Sequence, residues 1–223
     1  MALEWVGSRW PSLIPRLFSG MPMGPAFPVE VLGSDPGQDF AGVAWHCYGG
    51  DASAMQAVTA RFPSRAAAGE HYITECTDVY KPFAEYLGWS QAELFMAGAR
   101  NGARSVMFWS LASDEHFGPR CHGGACCASC KGVVTVPTGA QSSDELVYNT
   151  EFFALAHHSA FLTSGARRIF SAAAGSGVDS VAYQRVDGGL VLVVANLRPA
   201  SSGASPQCIP VLSILISAHH QCV

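Results

Sequence analysis

Three short apolar runs decide what this chain can become. Phe40 to His46, His71 to Thr74 and Ser105 to Leu111 are rich in β-branched and aromatic residues and too short for buried helices, so they read as buried strands. Helix-forming segments separate them. Ala54, Val58 and Ala60 belong to one, with Asp51 or Ser53 as its N-cap. Ser90 to Arg100 forms the next, with Leu94, Phe95, Ala97 and Gly98 as its apolar face and Ser90 and Glu93 at capping-box spacing. Strand and helix alternating at this spacing predict parallel strands joined by right-handed crossovers.

The flanks read differently. Residues 1–28 are rich in Pro, Gly and Trp and lack periodicity, so they are expected to be irregular or foreign to the main fold, while Val29 to Leu32 closes a helix before the turn Gly33–Gly37. Asn149 to Phe161 reads as a further helix, which Gly165 separates from Arg167, Arg168 and Ile169. Beyond it the period changes to two. Val178–Arg185 and Leu190–Asn196 flank Asp187-Gly188-Gly189, a strong hairpin signal because glycine accepts positive φ. From Pro199 onward no regular element is expected.

Composition narrows the function. A chain of 223 residues, 49% hydrophobic and 13% charged, buries a substantial core. A net charge of −4 without a stripe of Lys and Arg disfavours nucleic acid. No apolar run reaches the roughly 18 residues that span a bilayer; Val211–Ala218 is short and contains Ser213 and Ser217. The first twenty residues are broken by Pro11 and Pro15 and do not read as a signal peptide. Eight cysteines, four of them between Cys121 and Cys130, lean toward an oxidising compartment.

Each predicted strand ends in groups that a sugar site can use: His46 and Tyr48, then Glu75, then Trp109. Parallel strands present their carboxyl ends on one face, where polar and aromatic groups following buried runs serve chemistry. Retaining glycoside cleavage needs a carboxylate that attacks the anomeric carbon and a second carboxyl that protonates the leaving oxygen. Glu75 suits the first role. Spacing alone leaves it open to being an ordinary exposed glutamate. It equally leaves His46 open to being a core histidine, and Tyr48 and Trp109 to being core or rim aromatics.

The segments GVAWHCYGGDASAMQAV, HYITEC, NGARSVMFWSLASDEHFGP and KGVVTV, the run Glu151–Ser171 with GARRI within it, and VAYQRVDGGLVLVVANL stand in an order that resembles glycoside hydrolase family 30. The resemblance covers roughly residues 29–197. It implies the last three strands of a (β/α)8 TIM barrel over residues 29–165 and part of an all-β sandwich over residues 166–223, with residues 1–28 outside the family pattern. It implies Glu75 as the catalytic nucleophile, His46 and Tyr48 as sixth-strand residues shaping the sugar site, and Trp109 as a stacking platform. The implied activity is glucosylceramidase-type hydrolysis of β-glucosides, either glycolipid or glucan, in an extracellular or lysosomal or vacuolar setting and without a cofactor or metal.

One departure stands out. The family's acid/base glutamate lies in an asparagine-glutamate-proline motif, which does not occur in this sequence; Glu4 and Glu30, the glutamates upstream of the first predicted strand, lack that context. Little activity is therefore expected of this chain alone, and a non-catalytic carbohydrate-binding protein is the competing reading. The Gly-rich loop CHGGACCASC, with Cys121, His122, Cys126, Cys127 and Cys130, holds one C-x-x-C pair and invites a zinc reading. Disulfide or free-thiol chemistry is favoured over metal, because the candidates crowd one loop and the family resembles that case. Cys47 and Cys76 read as buried small apolar residues pointing away from the site.

Overall fold

The computed structural model describes residues 16–34, 40–77, 81–119, 129–172, 177–197 and 211–216. The result is a mixed α/β chain with small sheets, divided into two units. The first takes residues 1–76 together with Asn101–Met107; the second takes Thr77–Arg100 and everything from Phe108 onward.

The first unit is built on a four-stranded parallel sheet. Strands β1 (Arg16–Met23), β2 (Phe40–Gly50), β3 (His71–Glu75) and β4 (Ala103–Val106) lie side by side in chain order. Helix α1 (Ala26–Ser34) connects β1 to β2, and α2 (Ser53–Arg61) follows β2. The parallel pairing of β2, β3 and β4 agrees with the strand-helix alternation of the sequence. Within residues 1–28 the described part, residues 16–28, is not irregular: β1 pairs with β2, and α1 already starts at Ala26. The third run is also shorter than expected, because β4 ends at Val106 and Met107–Leu111 is not strand.

Burial on both faces explains why β2 is a continuous apolar run. Val43 and Trp45 are fully buried and Ala44 nearly so, as befits a strand inside a parallel sheet. Gly42 permits close approach: a Cβ there would lie 2.8 Å from the Glu70 carbonyl oxygen, which accepts the Val43 N–H. The N-cap of α2 is Ala52, not Asp51 or Ser53, yet the Asp51 carboxylate accepts the Ser53 N–H at 2.8 Å. Under the sheet, Trp45 Nε1–H donates to His71 Nδ1 at 3.2 Å, and His71 Nε2 lies 2.9 Å from Thr59 Oγ1. Because tryptophan can only donate, Nδ1 accepts and His71 is neutral with its proton on Nε2. The Thr59 hydroxyl donates onward to the Ala68 carbonyl at 2.7 Å.

In the second unit one helical stretch runs from α3 (Phe83–Trp89) through a π-helical turn (Ser90–Met96) into α4 (Ala97–Arg100). The Ser90–Glu93 capping box is therefore absent. Pro82 starts this helix, with the Tyr86 N–H donating to its carbonyl, and Ser90 is buried seven residues inside the helix. Gln91 and His158 join this helix to α5 (Thr150–Ser159): Gln91 donates to the Ala154 carbonyl at 2.9 Å and meets His158 Nε2 at 2.8 Å. Phe95 stacks on His158 with centroids 4.4 Å apart.

Two further sheets complete this unit. Strands β5 (Ala112–Ser113), β6 (Val134–Thr135) and β7 (Val147–Tyr148) form a small mixed sheet. Strands β8 (Arg167–Ile169), β9 (Val178–Gln184), β10 (Leu190–Asn196) and β11 (Val211–Ile216) form an antiparallel one. The β9–β10 hairpin turns where expected, with Gly188 at φ +85° and the Arg185 N–H donating to the Gly189 carbonyl. Along β10 Val191, Val193 and Ala195 are buried, as the period of two requires. The tail is more regular than its sequence suggests, since β11 pairs with Leu190 to Ala195 of β10. Arg100 grips Asp179 and the Ser180 carbonyl, fixing α4 to β9. No helix among the described residues is long and apolar enough to cross a membrane.

The two buried histidines make the fold acid-labile. Burial pulls His71 down to about 4 and His158 to about 3, so between pH 6.5 and 4 the unfolded chain binds protons that the folded chain refuses. Stability is fully present above pH 6.5 and declines as the pH falls toward 4. Urea unfolding followed at pH 7.5, 5.5 and 4.5 is expected to show a falling midpoint across that window; a constant midpoint would contradict the neutral, buried state of both rings.

Candidate active site

At the carboxyl end of the parallel sheet, the β2–β3 register gathers three of the four residues singled out by sequence. Trp45 pairs with Ile73, but the next pair is His46 with Glu75. Thr74 is thus an extra residue on β3. A regular parallel ladder would have set Thr74 opposite His46 and turned Glu75 toward the face of Cys47. The bulge instead turns Glu75 to the face of His46 and Tyr48, because side chains alternate with a period of two.

The geometry follows from that shift. Tyr48 Oη donates to Glu75 Oε1 at 3.0 Å, and His46 Nδ1 lies 3.9 Å from the same oxygen, too far for a hydrogen bond. The rings of His46 and Tyr48 meet edge to face at 6.1 Å. The side chains of His46 and Glu75 keep 25% and 27% of their exposure, and Tyr48 is 49% exposed, so the cluster is open to a ligand while its backbone is held in the sheet. Partial burial and the Glu75 charge raise the Tyr48 phenol above its ordinary range, with the hydrogen bond to Glu75 adding to the effect. Tyr48 therefore remains a donor at any working pH. After the cluster, Gly50 at φ +74° ends β2 and turns the chain into the Asp51 loop.

Trp109 lies in the second unit, in the segment between β4 and β5, with half of its surface exposed. Its peptide bond to Ser110 is cis, and the Ser110 carbonyl accepts the Val133 N–H at 2.8 Å.

The cysteines differ from expectation. Cys47 and Cys76 form a disulfide, with Cα atoms 5.3 Å apart, rather than serving as separate buried thiols. Both the direction of Cys47 away from Glu75 and the pairing required the bulge, which sets 46 beside 75 and hence 47 beside 76. Of the CHGGACCASC loop, Cys121, His122, Cys126 and Cys127 lie outside the described residues, while Cys130 is disulfide-bonded. The described residues contain no group of three or more His, Cys, Asp or Glu side chains arranged to hold a metal.

No protein-family model and no curated protein sequence matches this chain. Solved structures do. The chain is similar to the endo-β-1,6-glucanase BT3312, with a TM-score of 0.67 and 22% identity over 86% of this chain. It is also similar to SrfJ from Salmonella typhimurium, with a TM-score of 0.64 and 17% identity over 85% of the chain. A third likeness, at a TM-score of 0.53 and 14% identity over 82% of the chain, is to the glycoside hydrolase family 30 subfamily 8 xylanase Xyn30A from Clostridium acetobutylicum. Over the covered region the chain thus has a glycoside hydrolase family 30-like fold. It spans 42%, 42% and 40% of the lengths of these three structures.

A half-exposed hydrogen bond adds little to stability. Tyr48→Phe is expected to cost no more than about 1 kcal/mol in chemical denaturation; a substantially larger loss would show the pair to be part of the core rather than a group presented to a ligand.

Proposed function

We propose that this chain is the carboxyl-terminal part of a retaining β-glycosidase of the glucosylceramidase or β-glucanase kind, with Glu75 as the nucleophile. In this reading residues 29–165 belong to a (β/α)8 barrel and residues 166–223 to a partial β-sandwich, with residues 1–28 preceding them. The observation that carries the reading is the Tyr48 hydroxyl on Glu75 Oε1, at the carboxyl end of neighbouring parallel strands. The family 30-like fold supports it.

The chemistry follows from the groups present. The Tyr48 hydroxyl donates to Glu75 Oε1 and holds that side chain in one orientation, and the raised phenol keeps its proton. Glu75 attacks the anomeric carbon to form a glycosyl-enzyme, which water then opens with net retention. In this reading His46 binds sugar beside the nucleophile, and Trp109, in the second unit, has an exposed ring of the kind that stacks on the apolar face of a sugar. The asparagine-glutamate-proline motif expected to supply the leaving-group acid does not occur in this sequence; in a retaining site the two carboxyls stand about 5–5.5 Å apart. Neither metal nor organic cofactor takes part.

Without that acid, turnover of unactivated β-glucosides by the chain alone is expected to fall about a hundred- to ten-thousand-fold below that of a complete site. Formation of the glycosyl-enzyme can be separated from this deficit with a 2-deoxy-2-fluoro-β-glucoside carrying a dinitrophenolate, which leaves without a proton. Mass spectrometry is expected to find the sugar on Glu75 and none on the Glu75→Gln chain. Persistent binding of β-glucosides with no adduct on Glu75 would sink the hydrolase reading and favour a carbohydrate-binding protein that uses the exposed rings of Tyr48 and Trp109.

A further inference from the structure

The Cys47–Cys76 disulfide occupies a position that the proposed chemistry does not use. Cys47 sits between His46 and Tyr48 on β2, and Cys76 directly follows Glu75 on β3. The β2–β3 register ends at His46 and Glu75, so beyond that pair no strand pairing ties Tyr48 to Glu75. Beyond it, among the described residues, Tyr48 meets Glu75 through a hydrogen bond from a half-exposed phenol, worth on the order of 1 kcal/mol. The disulfide begins where the ladder stops. Its Cys76 end is fully buried, which anchors the linkage, and its two ends are the chain neighbours of all three site residues.

We infer that the Cys47–Cys76 disulfide is a positioning element for the active site: it replaces the missing ladder and holds Tyr48 within hydrogen-bond reach of Glu75. The two cysteines act through their neighbours and touch no reacting atom. The consequence for rate rests on the reading of Glu75 as nucleophile; the consequence for geometry does not. A misplacement of about 1 Å at a reacting group costs on the order of a hundredfold in rate. Loss of the clamp is therefore expected to slow formation of the glycosyl-enzyme about 10- to 100-fold.

The geometric claim can be tested without any activity. In the full chain labelled with 13C at the tyrosine ring, the Tyr48 resonance is assigned by its loss in Tyr48→Phe, and its coupling to Glu75 is read as the shift produced by Glu75→Gln. The measurement is made with the disulfide intact and again after a dithiol has opened it to two thiols while itself closing to a cyclic disulfide. It is repeated in Cys47→Ser and in Cys47→Ala/Cys76→Ala. The expected result is a Glu75-dependent shift of Tyr48 in the oxidised chain that vanishes in the other three while their folded spectra persist. An equal Glu75-dependent shift with and without the disulfide overturns the inference. So does wholesale unfolding of the reduced chain and both variants, which would make the bond an element of the fold. In parallel, the fluoroglucoside labelling rate is compared between oxidised and reduced chains. No labelling of the oxidised chain counts against the glycosidase reading alone, since the resonance of Tyr48 still decides the clamp.

Discussion

The pairing of His46 with Glu75 across two parallel strands is the constraint on which the rest of this structure depends. Parallel strands ordinarily advance residue for residue, and under that rule Glu75 would share a face with Cys47 and not with Tyr48. A single extra residue, Thr74, reverses the outcome. It turns the carboxylate to the phenol and the imidazole, and by the same step brings Cys47 and Cys76 within bonding distance on the opposite face. Site and disulfide are two results of one register shift.

The elements below the site hold that register. Gly42 lets β2 approach the Glu70 backbone closely, and the Val43 N–H takes up the Glu70 carbonyl. Two residues further on, the buried Trp45 and His71 side chains bond across the same two strands. A slip of one residue would break this bond and leave a buried indole N–H and an imidazole unsatisfied, at about 1–3 kcal/mol for each group. The polar pair within the apolar core thus specifies alignment. Burial supplies most of the stability, and the buried ring nitrogens select which alignment is stable.

Much of this was legible in the sequence, for reasons that differ from element to element. The β2 and β3 runs, the helix after β2 and the β9–β10 hairpin announce themselves through apolar runs and the Asp187-Gly188-Gly189 turn. That His46, Tyr48 and Glu75 all lie at strand ends of one parallel sheet was readable from the apolar runs, whereas their sharing one face depends on the register shift between Trp45 and His46. Other features are set by interactions that local sequence does not encode. β1 contains Gly20 and Pro22 and has strand geometry because β2 pairs with it. Ser90 looks like a cap, yet the helix already runs through it from Pro82, and Gln91 and Phe95 on that stretch engage α5. β11 is likewise defined by its partner β10. The bulge at Thr74 leaves no local signature at all, and the disulfide that depends on it was hidden for that reason.

The register is open to direct measurement in the unreduced protein. Proteolysis without reductant, after alkylation of free thiols, followed by mass spectrometry reports which cysteines are joined. The account predicts a peptide pair linked through Cys47 and Cys76, which requires Glu75 to lie beside His46. Recovery of either cysteine alkylated, or joined instead to Cys121, Cys126, Cys127 or Cys130, would contradict the strand alignment and with it the site.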